Sequence, residues 1–234
     1  EVIKMVEDVI SISPTLAWKE ILETVAKKVV EFLHAGAATI RIFDPETERL
    51  VALGSYQYTE TDRLKDIPVE KSVAGKVIKS RKSYLVPNIL LEPDYLDKDV
   101  VKRHGFNSLI AVPLNIPRFL ENKPDIQGTI QVYYKEINRK FDPLEVTSAE
   151  LMARRVSYVL AKKRILELQK LNLLKERIVE KIFVKLSHRE GIKMKDVFKL
   201  MIPELADIMQ IQSCSLFTVT QNRKHVQIEL EYPP

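Results

Sequence analysis

The sequence contains little or none of several features that mark particular protein classes. Cys214 is the only cysteine among 234 residues, which excludes a disulfide framework or a cysteine-based zinc cluster. This scarcity of thiols fits a reducing, cytoplasmic compartment. No apolar run approaches the roughly 20 residues of a membrane-spanning helix, and no basic segment precedes an apolar stretch as in a secretory signal. Because the chain starts at Glu1 rather than Met, we expect a piece of a longer or processed protein.

The composition is that of a globular protein of one or two domains. Hydrophobic residues make up 45% of the chain, enough for a sizeable core. The net charge of +5 is concentrated in residues 161–200, which carry twelve lysines and arginines against five acids. We interpret this stretch as the solvated face of a helix. Because no zinc-finger spacing accompanies it, no nucleic-acid partner is expected.

Periodic apolar residues predict the secondary structure of the first half of the chain. Apolar residues at a spacing of three to four residues predict a helix over residues 1–13 and a second helix that ends near residues 34–36. Alternating apolar residues over 38–42 predict a strand, and the turn at residues 44–47 continues it into a hairpin. Residues 57–71 are polar and are predicted to form a loop. A short helix, a short strand, a charged helix over residues 96–103 and two longer apolar strands are predicted between residues 72 and 134.

A long helix is predicted after the last of these strands. Asp142, Pro143 and Glu145 form a helix start, because Asp can cap, Pro suits the first turn and Glu can complete a capping box. No Pro or Gly follows until Gly191, which predicts one helix of about 40 residues. Apolar residues continue at a spacing of three to five residues beyond residue 160. We therefore expect a helical linker that pairs with a second copy of the chain to form a homodimer.

The chain also contains a weak internal repeat. A shift of 176 residues places residues 1–56 over residues 177–232 without a gap, and the apolar positions correspond. Identities are few, so the repeat rests on the matched apolar pattern. It predicts that the long helix leads into a second copy of the same module, which stops after its first hairpin.

Several segments of the sequence, taken in their order along the chain, resemble those of a known family. They are Ser72–Val77 (SVAGKV), Tyr84–Asn88 (YLVPN), Gly105–Leu114 (GFNSLIAVPL) and the helix start from Phe141 to Glu145. Together they resemble a GAF domain over residues 14–160, and residues 177–234 resemble the start of a second one. The predicted organisation is an N-terminal helix (1–13), a GAF-like domain (14–160), a helical linker (161–190) and a truncated second GAF-like domain (191–234).

The resemblance implies an α+β fold with a central antiparallel sheet and helices on both sides. It implies a pocket between one face of the sheet and residues 57–107. It also implies a non-catalytic sensory or regulatory module of a signalling protein, which binds a small molecule or a partner and relays the event through the long helix. The parent protein would carry a kinase, cyclic-dinucleotide or transcription-activating output domain. The alternative is a ligand-free module that serves for dimerisation and spacing.

Candidate ligand-binding residues follow from this implied pocket. The helix that begins at Ser72 offers free N–H groups to an anionic ligand group. Arg41 would supply a charge partner if it faces the pocket, but alternation with Ile40 and Ile42 leaves its side of the sheet open. The complete candidate set is Arg41, Ser72, Val73, Ala74, His104 and Ser108.

Catalysis and most cofactors are not expected. The sequence has no Walker-type phosphate loop, G-x-S-x-G elbow or H-E-x-x-H motif. Within the GAF resemblance, methionine sulfoxide reduction needs several cysteines and a bilin needs one, whereas residues 1–176 have none. Haem would need an axial ligand, for which His104 is the candidate, although a helix end is also an ordinary place for histidine. The cofactor therefore remains unassigned.

Two further motifs match only in part. Cyclic-nucleotide GAF domains carry an Asn-Lys…Phe-x-x-x-Asp-Glu pattern, of which this chain keeps Asn138-Arg139, Phe141 and Glu145-Val146. A core anchor and a capping box explain the same Phe and Glu. The segment around His188 resembles the phosphoacceptor box of sensor kinases, but the Arg-Thr-Pro that normally follows is absent. Neither activity is expected.

Overall fold

The computed structural model describes residues 12–13, 15–57, 66–117, 119, 124–186, 193–209, 212–219 and 226–232. The chain divides into two compact units, Glu1–Ile165 and Leu166–Pro234. Most of the predicted N-terminal helix over residues 1–13, and the segment around His188, lie outside the described residues.

The first unit is built on a six-stranded sheet in the order β3-β2-β1-β6-β5-β4. Its strands are β1 (Ala37–Asp44), β2 (Arg49–Tyr56), β3 (Ile67–Pro68), β4 (Tyr84–Val86), β5 (Ser108–Ile116) and β6 (Ile126–Tyr134). Every pair of neighbouring strands is antiparallel, which confirms the predicted antiparallel sheet. The short strand β3 lies in a segment that the sequence had predicted to be entirely loop.

Among the described residues, four helices accompany the sheet: α1 (Trp18–Leu33), α2 (Val73–Ser80), α3 (Lys98–His104) and α4 (Pro143–Leu186). The 44-residue helix α4 confirms the predicted long helix. Buried residues of α1 and of the first part of α4 pack on one face of the sheet. Those of α2 and α3 pack on the other face. Helices therefore cover both sides of the sheet, as predicted.

The alternation of side chains in β1 separates these two cores. Ala38 and Ile40 belong to the core beneath α1 and α4. Ala37 belongs to the core beneath α2 and α3. Because successive strand residues point to opposite faces, Thr39 and Arg41 also point toward α2 and α3.

Gly54 allows α1 to lie unusually close to the sheet. Gly54 lies in β2 and pairs with Ile40 of β1, and a Cβ atom built at Gly54 would come within 2.6 Å of the Cβ atom of Leu22. A larger residue at this position would push α1 away from the sheet and open its core.

The second unit contains the last part of α4, a further helix α5 (Met194–Met209) and a hairpin of β7 (Cys214–Val219) with β8 (Val226–Tyr232). A shift of 176 residues places both ends of α1 on the ends of α5. The irregularity in pairing between Ile40 and Arg41 of β1 recurs between Leu216 and Phe217 of β7. The helix and hairpin of the first unit thus recur in the second, down to the position of the bulge.

Candidate functional site

A small cavity lies on the face of the sheet that α2 and α3 cover. We call it the sheet cavity. Its wall comes from the sheet, from the start of α2 and from the loop of residues 87–97, which we call the covering loop. The lining residues are Arg41, Ile67, Ser72, Val73, Asp94, Tyr95, Leu96, Asp97, Gln131 and Tyr133. Three of the six predicted site residues, Arg41, Ser72 and Val73, therefore come together here.

Arg41 brings a charge to this cavity from within the sheet. Only 5% of the residue is exposed, and its Nη1 donates a hydrogen bond to the backbone oxygen of Leu50 at 3.3 Å. A buried guanidinium is costly unless polar groups surround it, and Asp94 and Asp97 line the same cavity. The side of the sheet that Arg41 faces, which the sequence left open, is the cavity side.

The sheet face around Arg41 is polar although it is buried. Thr39 and Gln131 pair across β1 and β6, and both are at most 2% exposed. The Oγ1 atom of Thr39 has no hydrogen-bond partner within the described parts of the chain. A buried hydroxyl of this kind is normally satisfied by water or by a bound molecule.

The start of α2 is capped by the chain itself. Ser72 Oγ accepts a hydrogen bond from the Gly75 N–H at 3.1 Å and donates one to the backbone oxygen of Pro68 at 2.7 Å. The Val73 N–H donates to the backbone oxygen of Asp94 at 3.1 Å. Two of the N–H groups predicted to be free for an anionic ligand are thus already in use. Ser72 lines the cavity, but its hydroxyl serves first as a helix cap.

The other three predicted residues lie elsewhere. Ala74 is fully buried in a separate cluster with Leu50 and Ile78. Ser108 pairs with Tyr134, which belongs to the core beneath α1 and α4, so Ser108 points away from the cavity. The apolar pattern predicted that Ser108 lies on a strand, but it did not predict which face of the sheet its side chain occupies.

His104 ends α3, and its ring stacks on Phe106 with centroids 5.7 Å apart. It is not among the residues that line the sheet cavity, and the described lining contains no histidine, cysteine or methionine. Of the residue types that serve as axial ligands of haem, this lining contains only tyrosine, at Tyr95 and Tyr133. Within the described residues, no group of three or more His, Cys, Asp or Glu side chains could hold a metal ion.

An ionic cluster holds the covering loop to α2. Lys76 Nζ lies 2.8 Å from Glu92 Oε1, 2.7 Å from Asp94 Oδ2 and 3.0 Å from the hydroxyl of Tyr84. Burial alone would lower the pKa of Lys76, but hydrogen bonds with Asp94 and Glu92 outweigh it and raise that pKa. Lys76 therefore stays charged, and its two carboxylate partners are both on the covering loop.

The loop also contacts the floor of the cavity. The hydroxyls of Tyr95 and Tyr133 lie 3.4 Å apart, and their rings meet edge to face with centroids 6.4 Å apart. Burial, with the neighbouring Tyr133, raises the pKa of Tyr95 well above its ordinary value. Tyr95 thus stays neutral and closes the cavity with an apolar ring and a hydroxyl. The sequence did not reveal Lys76, Glu92, Asp94 and Tyr95 as site residues, because no local pattern links residues so far apart.

Lys76→Met is expected to loosen the covering loop. Removing the ammonium leaves Glu92 and Asp94 close together without their shared cation. Because the Lys76 side chain is 34% exposed, we expect a loss of only about 1 kcal/mol in the free energy of unfolding. Amide hydrogen exchange of residues 87–97 should quicken, whereas that of α1 should not. Lys79→Met is the matched control, because Lys79 pairs with the 83% exposed Glu70. Equal exchange rates in both variants would contradict the assigned role of Lys76.

The cavity is small as it stands. Its volume of about 40 Å³ would hold at most a few water molecules. A larger ligand would need more space than the cavity offers in this structure. A much larger recess of about 740 Å³ lies outside the sheet cavity, beside α4.

The partial cyclic-nucleotide pattern has a structural explanation. Arg139 Nη2 lies 3.0 Å from Glu145 Oε1, and the guanidinium lies 4.3 Å from the centroid of the Tyr134 ring. Phe141 also contacts the Tyr134 ring edge to face. These residues join the end of β6 to the start of α4, and none of them lines the sheet cavity.

The family model of the GAF domain matches residues 18–160. The chain therefore belongs to the GAF domain family. GAF domains are typically sensory or regulatory modules in signalling proteins and are generally non-catalytic. No curated protein matches the chain. Among the described residues, no helix is both long and apolar enough to cross a membrane.

Solved structures with the same fold share little sequence with this chain. The GAF domain of an Acinetobacter phosphoenolpyruvate-protein phosphotransferase is 15% identical, with a TM-score of 0.53 over 69% of this chain and 90% of its own. The free methionine-R-sulfoxide reductase of Neisseria meningitidis, solved with its substrate, is 17% identical, with a TM-score of 0.56 over 71% of this chain and 90% of its own. A bacteriophytochrome of R. palustris is 12% identical, with a TM-score of 0.68 over 97% of this chain and 50% of its own. At these identities the likeness supports the fold alone.

Proposed function

We propose that residues 18–160 form a sensory module that binds a small polar molecule in the sheet cavity. The observation that carries this proposal is the buried Arg41 of β1, which lines the cavity together with Gln131 and Ser72. The guanidinium would recognise a carboxylate or another anionic group. Binding would release the covering loop from its closed position or fix it in a new one.

The signal would leave the module through α4. That helix packs on the opposite face of the same sheet and continues past the end of the module. The ligand must bind one position of the helix more tightly than the other, because otherwise no signal is transmitted. The exposed apolar residues of α4 support a homodimer through this helix; they include Leu171, Leu173, Val179 and Phe183.

The second unit is proposed to begin another GAF-like domain. The matching ends of α1 and α5, and the matching bulge positions of the two hairpins, support this assignment. A cytoplasmic signalling protein with an output domain beyond this chain would fit such an arrangement.

The second candidate function is a ligand-free module for dimerisation and spacing. The small volume of the sheet cavity favours this alternative, since about 40 Å³ is too little for a metabolite in this structure. The two functions differ in whether a small molecule that binds at Arg41 stabilises the protein.

Thermal stability in the presence of small carboxylates and phosphates separates the two functions. A compound at 100 times its dissociation constant should stabilise the folded chain by about 2.7 kcal/mol, equivalent to several degrees in Tm. Arg41→Met should abolish this ligand-dependent increase, whatever its own Tm. Arg103→Met provides the control, because Arg103 is an exposed cation on α3. No stabilisation across the set, or full retention in Arg41→Met, would favour the spacer.

A further inference from the structure

A groove with an apolar floor runs beside α4, on the outside of the first unit. We call it the α4 groove, and its volume is about 740 Å³. Its apolar wall includes Val77, Ile78, Pro113, Leu114, Ala161 and Ile165. A volume between roughly 300 and 1,000 Å³ is typical of small-molecule sites. The groove shares no lining residue with the sheet cavity.

The charged groups among the described residues of the groove are all cations. Arg81, at the C-terminal end of α2, and Arg154 and Lys162, on α4, line it, and no aspartate or glutamate does so among the described lining residues. None of the three makes an ion pair with another residue in the described part of the chain. An apolar floor with a cationic rim is complementary to a molecule that has an apolar body and an anionic head.

The positions of the cations place the head at one end. Arg81 and Arg154 also line a smaller adjoining recess, so they lie where the two recesses meet. Lys162 lies eight residues further along α4, about 12 Å from Arg154 along the helix axis. Two guanidiniums at one end can hold a carboxylate through paired N–H donors. The apolar body would then lie along Leu114 and Ile165.

A singly charged head suits this end better than a doubly charged one. The adjoining recess contains Glu150, whose Oε1 accepts a hydrogen bond from Ser83 Oγ at 2.6 Å. This carboxylate would repel a phosphate dianion more strongly than a carboxylate. We propose that the α4 groove binds an amphiphilic carboxylate, such as an acyl chain, with its head at Arg81 and Arg154. A ligand there would contact α2 and α4 together, at a site separate from the sheet cavity.

Isothermal titration of the full 234-residue chain with sodium decanoate tests this assignment. We expect one decanoate per chain, and decan-1-ol, which has the same chain length without the charge, should bind at least tenfold more weakly. Arg154→Glu should weaken decanoate binding at least tenfold. Lys162→Glu carries the same charge change on the same helix and should weaken it by no more than about threefold.

Several results would overturn the proposal. Equal affinity for decanoate and decan-1-ol would show that the cations do not contribute. Equal losses in Arg154→Glu and Lys162→Glu would show general electrostatics rather than a head site. Binding of decyl phosphate without decanoate would exclude the carboxylate. Finally, if sedimentation shows a dimer that Arg154→Glu disrupts and decanoate does not bind, a second copy of the chain occupies the groove.

Discussion

Gly75→Ala is expected to lower the free energy of unfolding by about 3 kcal/mol, at the upper end of the range for overpacking. A Cβ atom at Gly75 would lie 1.7 Å from the backbone oxygen of Val69 and 2.6 Å from its carbonyl carbon. Both are backbone atoms, so the clash is relieved only if α2 moves away from residues 67–69. Equilibrium denaturation with urea measures the loss.

The matched control for this substitution is Gly105→Ala. A Cβ atom at Gly105 would have no heavy atom within 4 Å, but the residue has φ of +70°. Alanine there should cost only about 1 kcal/mol, from the left-handed backbone conformation. If Gly75→Ala cost no more than Gly105→Ala, the close approach between α2 and Val69 would not exist in solution. The position of α2 beside the sheet cavity would then be wrong as well.

Glu145→Ala is expected to cost about 2 kcal/mol, less than the 3–5 kcal/mol typical of a fully buried ion pair. The side chains of Glu145 and Arg139 are 15% and 24% exposed, so water screens the pair only in part. Without Glu145, Arg139 keeps Glu136 at 2.9 Å and the ring of Tyr134. The substitution should therefore weaken the link between β6 and α4 without breaking it.

A double-mutant cycle with Arg139→Met isolates this pair. We expect a coupling energy of about 1 kcal/mol between the two positions, within the usual range for residues in contact. Glu136→Ala serves for comparison, because its side chain is 60% exposed and should cost well under 1 kcal/mol. Additive effects of Glu145→Ala and Arg139→Met would contradict a direct structural role for the pair.

The sequence predicted the elements of this fold better than the arrangement of its site. The alternation around Ile40 identified β1, and the absence of Pro and Gly between Pro143 and Gly191 identified the long helix, because both signals are local. The direction of Arg41 was not predictable in this way. Alternation allows either face, and the choice depends on where α1 packs, which sequence spacing does not encode.

The same limit explains the residues that were misplaced or missed. The helix start at Ser72 was identified correctly, but one of its N–H groups is used by the backbone of Asp94, a distant segment. Lys76 meets Glu92 and Asp94 only because the covering loop folds back over α2. Arg81 and Arg154 meet at the α4 groove from opposite halves of the first unit. Contacts of this kind arise from tertiary structure and leave no periodic trace in the sequence.

Amide hydrogen exchange with a stabilising compound bound will show whether a small molecule enters the sheet cavity beneath the covering loop. We predict slower exchange at residues 72–76 and 87–97 in the bound protein, and loss of this protection in Arg41→Met. Protection confined to residues 113–117 and 154–165, with residues 87–97 unchanged, would contradict binding in the sheet cavity.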